Sequence, residues 1–178
     1  MKTKLTTICF ALAAALACEK KPEPQAQIAI DQASIQLYFS PQGGASAAIV
    51  ATLDNAKESV RVQAYSFTSA PIAEALKRAH GRGVDVVVIL DKSQRTEKYS
   101  SATFLDRAGI SVWIDRKHAI AHNKIIIIDG ATVITGSFNF SKAAEERNAE
   151  NLLIVANKQI AEKYMANWMA HWEHSEAY

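Results

Sequence analysis

The chain has 178 residues, 49% of them hydrophobic and 21% charged, which is material for one globular domain and too apolar for a disordered chain. Its formal charge of +2 rests on Lys2 and Lys4, since without residues 1–17 the chain carries 18 basic and 18 acidic side chains. A near-neutral domain excludes general coating of nucleic acid by counterion release, so any polyanion would have to be gripped locally.

The first segment reads as an export signal rather than as part of the fold. Lys2 and Lys4 form a positive start, and Leu5 to Ala17 is an apolar run ending in small residues, too short to span a bilayer. Glu19-Lys20-Lys21-Pro22-Glu23-Pro24-Gln25 has linker composition. The expected division is a signal peptide over 1–17, a linker over 18–33 and one domain over 34–178. Ala15-Leu16-Ala17 is an A-x-A cleavage pattern, yet Cys18 directly behind it resembles the lipid-modified cysteine of a bacterial lipoprotein. Two exported forms stay open: a soluble periplasmic or secreted protein, and one with a lipid anchor at Cys18. Neither would have a transmembrane helix in the mature chain. Cys9 and Cys18 are the two cysteines, so the domain has no disulfide, no thiolate metal ligand and no thiol nucleophile.

From Ser34 onward, strand-like and helix-like stretches alternate. Ile35 to Phe39 predicts a strand, and Gly43 to Asn55 a helix with Ile49, Val50 and Leu53 on one face. Val60 to Phe67 predicts a strand, and Ala70 to Ala79 a helix with Pro71 in its first turn and Gly81-Arg82-Gly83 behind it. Val84 to Leu90 is a continuous apolar, β-branched run, the pattern of a strand buried on both faces. A helix over Ser101 to Ala108 and a strand over Ile110 to Ile114 follow. Lys124 to Ile128 and Ala131 to Thr135 flank Asp129-Gly130, a strong hairpin signal. A short helix from Ser141, a strand over Asn151 to Val155 and a last helix from Gln159 complete the chain; the last helix carries Ile160, Tyr164, Trp168 and Trp172 at a spacing of four. The fold class expected is α/β, a mixed β-sheet flanked by helices on both faces.

The chemistry is concentrated in one stretch. His122-Asn123-Lys124, Asp129 and Gly136-Ser137-Phe138-Asn139 have the form H-x-K-x4-D-x6-G-S-x-N. Two residues apart at a strand start, His122 and Lys124 should project from one face. Ser137 and Asn139, just past the antiparallel neighbour, should meet them there. An imidazole, an ammonium, a hydroxyl and an amide so gathered suit a phosphodiester, with donors for its oxygens and a nitrogen that can attack phosphorus or move a proton. Alone, Lys124 would be an ordinary edge-strand lysine, and Ser137 and Asn139 a helix cap ahead of Ser141-Lys142-Ala143-Ala144. Asp129, in the turn and on the order of 15 Å of strand away from His122, should fix the turn rather than touch substrate.

This pattern resembles the HKD signature of the phospholipase D superfamily. With Ala64-Tyr65-Ser66-Phe67-Thr68, Gly83-Val84-Asp85-Val86 and the order of elements, residues 34–174 are similar to the small single-motif bacterial endonucleases of that superfamily. The resemblance implies His122, Lys124, Asn139 and Ser137 as catalytic residues, Gly136 and Asp129 as motif scaffold, and a phosphohistidine intermediate. It also implies a carboxylate on the ring of His122, and Glu150, opening the strand at Asn151, is the matching glutamate. Glu145 and Glu146 fit the exposed face of a short helix.

No metal and no cofactor is expected, because HExxH, a carboxylate cluster and a phosphate-binding glycine loop are all missing from the sequence. His171 and His174 are three apart, a chelating interval, but no Asp or Cys set accompanies them, so surface placement is expected; His80 and His118 read as loop residues. A histidine route needs a nucleophile and an acid at once, and one chain holds one His-x-Lys pair. A homodimer with both motifs around one phosphate is the economical answer. Nucleic acid is the expected substrate, with Lys92, Arg95 and Lys98 placed to meet its backbone. Phospholipid head-group hydrolysis is the rival within enzymes, and a non-catalytic nucleic-acid-binding module the rival outside them, which would need a broken motif.

Overall fold

The structure is a computed structural model that describes residues 33–178. The expected signal, Cys18 and all of the linker but Ala33 lie outside the described residues.

Eight strands form one sheet in the order β1-β7-β6-β5-β2-β3-β4-β8. In chain order the elements are β1 (Ser34–Ser40), α1 (Ala45–Asp54), β2 (Ser59–Ala64), α2 (Ala70–Gly81), β3 (Asp85–Asp91), a 3-10 turn (Lys92–Arg95), α3 (Ala102–Arg107) and β4 (Ser111–Asp115). There follow β5 (Lys124–Ile128), β6 (Thr132–Gly136), α4 (Lys142–Glu146), β7 (Glu150–Ala156), α5 (Lys158–Trp172) and β8 (Glu176–Ala177). The β2–β3 and β3–β4 pairs are parallel and the remaining five are antiparallel, so the sheet is mixed as expected.

Both faces of the central strands are covered. On one side, Val60, Val62, Val86, Val88, Leu90, Ile126 and Ile128 pack with Ile49 and Leu53 of α1 and with Ile72 and Leu76 of α2. On the other, Ile89, Ile125 and Ile127 pack with Ala161 and Trp168 of α5. The alternation of β5 between these two clusters explains its unbroken apolar sequence: each side chain has a covered face to enter. Val50, expected on the inner face of α1, is only half-buried. Trp168 is 2% exposed and its indole donates to the carbonyl of Val62 at 2.9 Å, so α5 is fixed to the central strand by a polar bond within an apolar layer. Among the described residues no helix is long and apolar enough to cross a membrane.

Three local differences from the sequence reading have physical causes. β2 ends at Ala64, because Tyr65 turns out of the strand and Phe67 makes a single bridge to Phe140. The β5–β6 hairpin pairs Ile128 with Thr132, so its loop has three residues rather than two. Asp129 and Gly130 both have positive φ (52° and 59°), as a primed turn demands, and the carbonyl of the extra residue, Ala131, is taken by the Asn157 amide at 2.9 Å. The cap of α4 is Ser141 itself, which accepts from the amide of Ala144 at 3.2 Å; Ser137 and Asn139 leave that role to it.

Candidate active site

Strand direction gathers the motif at one end of the sheet. β2 runs antiparallel to β5 with Ala64 opposite Lys124, and β6 runs antiparallel to β7 with Gly136 opposite Leu152. The outgoing ends of β2 and β6 therefore meet the incoming ends of β5 and β7. Between them lies an open pocket of about 390 Å³ lined by His122, Lys124, Gly136, Ser137, Asn139 and Glu150.

His122 lies two residues ahead of β5 rather than within it, and its side chain is exposed. Its ring rests against Tyr65, with centroids 4.6 Å apart and planes tilted by 53°. Lys124 is the reverse: it is 6% exposed, and its ammonium donates to the carbonyl of His122 at 2.7 Å and sits 5.3 Å from the Tyr65 ring centroid. Burial pushes the Lys124 ammonium below the ordinary lysine value, while the Glu150 carboxylate pulls it back up. Tyr65 is a site residue that the motif spacing does not reveal, because it lies outside the motif, just past the end of β2. Its amide also donates to Asn123 at 2.9 Å, so Tyr65 holds the His-x-Lys stretch by backbone and by ring.

Gly136 makes the third side possible. Its φ is 148°, and a Cβ there would come within 2.3 Å of the carbonyl oxygen of Asn151. That close approach lets the amides of Ser137 and Phe138 share the Asn151 carbonyl at 3.1 and 3.3 Å. The Ser137 hydroxyl accepts from the Asn151 amide at 3.0 Å and donates to Glu150 Oε2 at 2.6 Å. Asn139 is held nearby, and its side-chain oxygen is buried without a hydrogen-bond partner, leaving polar capacity for a bound group.

Glu150 corrects the sequence reading. Its two carboxylate oxygens take the Ser137 hydroxyl and, at 3.1 Å, the side-chain amide of Asn148, and none of its hydrogen bonds reaches His122. In this chain it orients Ser137 and balances the buried ammonium of Lys124. Glu145 corrects it too. Rather than facing solvent, its carboxylate accepts the amides of Gly44 (3.3 Å) and Ser46 (2.8 Å), capping α1, whose own N-cap Gly44 has no side chain to do so. Glu146 is exposed and pairs with Lys142 at 3.6 Å.

Asp129 lies at the far end of β5, outside the pocket. It accepts the amides of Lys57 (3.0 Å), Glu58 (2.8 Å) and Ser59 (2.9 Å), tying the hairpin to the α1–β2 connection. Burial acts to raise its carboxyl, but those three bonds outweigh it and hold the group below the ordinary Asp value. Lys92, Arg95 and Lys98 follow β3 and do not line the pocket. Lys92 donates to the carbonyl of His118 at 3.0 Å, while Arg95 and Lys98 lie 5.7 and 5.3 Å from the rings of Tyr178 and Tyr99. His171 and His174 are not surface histidines: with His118 they converge on the buried carboxylate of Asp115, a four-residue set the sequence reading did not assemble.

Comparison with known proteins agrees with this geometry. The model of the PLD-like domain of cardiolipin synthase matches residues 49–172. A phospholipase D of Rickettsia conorii is 44% identical over 140 residues, covering 79% of this chain and 70% of that protein. Nuc of Salmonella typhimurium, a phospholipase D family member, superposes with a TM-score of 0.79 at 39% identity, over 83% of this chain and 99% of that one. NucT from Helicobacter pylori gives 0.77 at 29% identity, over 83% and 100%. With that domain spanning most of its length and its motif residues gathered around one pocket, the chain belongs to the phospholipase D superfamily and is a phosphodiesterase of that family.

Proposed function

We propose that the protein is a metal-independent endonuclease that cleaves nucleic-acid phosphodiesters through a phosphohistidine, in a site completed by a second copy of the chain. The observation that carries this reading is the pocket itself: an exposed imidazole beside a buried ammonium, a hydroxyl and an amide. The likeness to Nuc over 99% of that chain supports it further. In the first step the His122 imidazole attacks phosphorus, and the P–O bond breaks as the leaving oxygen takes a proton from His122 of the partner subunit. Water then attacks phosphorus, gives its proton to that second imidazole, and the N–P bond breaks. The Lys124 ammonium and the side-chain NH2 of Asn139 donate to the non-bridging oxygens and stabilise the charge gathering there. Ser137, held by Glu150, shapes the floor, and Lys92, Arg95 and Lys98 guide the strand from outside the pocket.

A second reading is phospholipid hydrolysis, favoured by exposed apolar side chains on segments adjoining the pocket residues. Phe39 is 61% exposed next to Ser40, which pairs with Glu150, and Ile120 is 57% exposed two residues before His122. One experiment separates the two: plasmid DNA, RNA and phosphatidylcholine vesicles are incubated with the purified protein in excess chelator. Nicked and linear plasmid with intact lipid is the expected result. Head-group release with intact DNA favours the second reading, and activity that vanishes in chelator and returns with a divalent metal overturns the histidine mechanism.

A further inference from the structure

Far from the motif in sequence, three imidazoles point at one carboxylate oxygen. Asp115 closes β4 and its side chain is fully buried; Oδ2 lies 2.8 Å from His171 Nδ1, 2.9 Å from His118 Nδ1 and 3.3 Å from His174 Nε2. The donor atoms of all four residues lie within 4.8 Å of one another. In a tetrahedral zinc site with bonds of about 2.0–2.1 Å, neighbouring ligand atoms are about 3.3 Å apart, so these spacings are those of a set able to close on one ion.

Hydrogen bonding alone does not account for the cluster. Oδ1 of Asp115 already faces the amides of Lys117 (3.0 Å) and His118 (3.4 Å), which leaves Oδ2 for three rings. Two of them bond to it, while His174 Nε2 is buried with no hydrogen-bond partner despite its proximity. The ring centroids are 4.7, 5.2 and 5.4 Å apart, so three imidazoles crowd around a single carboxylate oxygen. One divalent cation satisfies three neutral imidazoles and one carboxylate together. The pattern is also a chelating one, with Asp115-x2-His118 at the end of β4 and His171-x2-His174 at the end of α5.

We propose that Asp115, His118, His171 and His174 bind one divalent cation of the zinc class, which clamps the end of α5 to the loop leading into His122. Four protein ligands close the coordination shell, which makes the site structural rather than catalytic. Its reach into the pocket is indirect. The same loop is fixed by Ala121, whose amide donates to Asp91 at 2.7 Å, and by Lys92 on the carbonyl of His118. A third tie at His118 leaves little freedom for the backbone that carries His122. The site does not depend on what the pocket cleaves.

The test uses the purified full chain, stripped with chelator and dialysed, then titrated with zinc chloride by calorimetry and followed by thermal unfolding. One equivalent per chain is expected, with the Tm raised by about 5–10 °C at a hundredfold excess over Kd. Cobalt(II) should give the visible bands of a tetrahedral complex, a readout that needs no variant. His171→Gln and His174→Gln should each abolish stoichiometric uptake and the shift. Absence of saturable zinc uptake and of cobalt bands in the unaltered chain overturns the proposal, as does uptake that persists in both variants. Chelator should lower the Tm yet leave turnover intact at low temperature, which separates this site from any metal need of the reaction.

Discussion

Replacing Asp129 tests the division of the motif into scaffold and site. Asp129→Ala removes an ionised acceptor from three backbone amides at 2.8–3.0 Å. A bond to a charged group contributes about 1.5 kcal/mol, but the amides of Lys57 and Glu58 are near solvent and water replaces part of that, leaving roughly 2 kcal/mol for the set. The residue also sits at φ 52°, where alanine costs about 1 kcal/mol more. The combined loss of about 3 kcal/mol should lower the Tm by about 6–12 °C at 2–4 °C per kcal/mol. Asp129→Asn tolerates the turn and keeps an acceptor oxygen, so its loss should be about half as large. The pH dependence has a definite sign. Because the folded carboxyl is held low, its contribution is complete above the ordinary Asp value of about 3.9 and fades as pH falls through the lower folded value. The gap between wild type and Asp129→Asn should therefore close in acid. Circular-dichroism melts, with turnover measured well below both transitions, decide the matter. An Asp129→Ala protein that melts like wild type yet has no turnover would refute the scaffold role.

Other substitutions probe the pocket wall. Gly136→Ala should cost more than about 3 kcal/mol or prevent folding, since its Cβ would meet the Asn151 carbonyl at 2.3 Å; a wild-type melt would contradict that close approach. Lys124→Met should abolish turnover while melting at or above wild type near neutral pH, because burial penalises the ammonium. That advantage should shrink as pH rises through the depressed folded value toward the free-lysine value of about 10.4, and a Tm drop of several degrees would contradict it. Tyr65→Leu should lower kcat more than it changes KM and shift the pH–rate profile, with Tyr65→Phe restoring both; an unchanged profile would deny Tyr65 its hold on His122.

The sheet and its covering were legible because they rest on patterns local to each element. The isoleucines of β5 need apolar neighbours on both faces, and the four-residue stripe of α5 needs one. His122, Lys124, Ser137 and Asn139 were legible because a hairpin converts fixed sequence spacing into spatial proximity. What was not legible depends on contacts between distant segments. Glu145 caps a helix about a hundred residues away, Glu150 turns to Ser137 and Asn148 instead of the histidine, and Tyr65 meets His122 only because β2 stops at Ala64. Asp115 and His118 are separated from His171 and His174 by more than fifty residues, and only the placement of α5 behind β4 brings the two pairs together.

The shared site is tested most directly by mixing subunits. Wild-type and His122→Ala chains are exchanged at equal amounts and plasmid cleavage is measured against unmixed wild type. If both imidazoles serve one phosphate, mixed dimers are inactive and total activity falls to about one quarter of that of an all-wild-type sample of the same total concentration. Activity of about one half, or a wild-type protein that sediments as a fully active monomer, would contradict a site built from two copies.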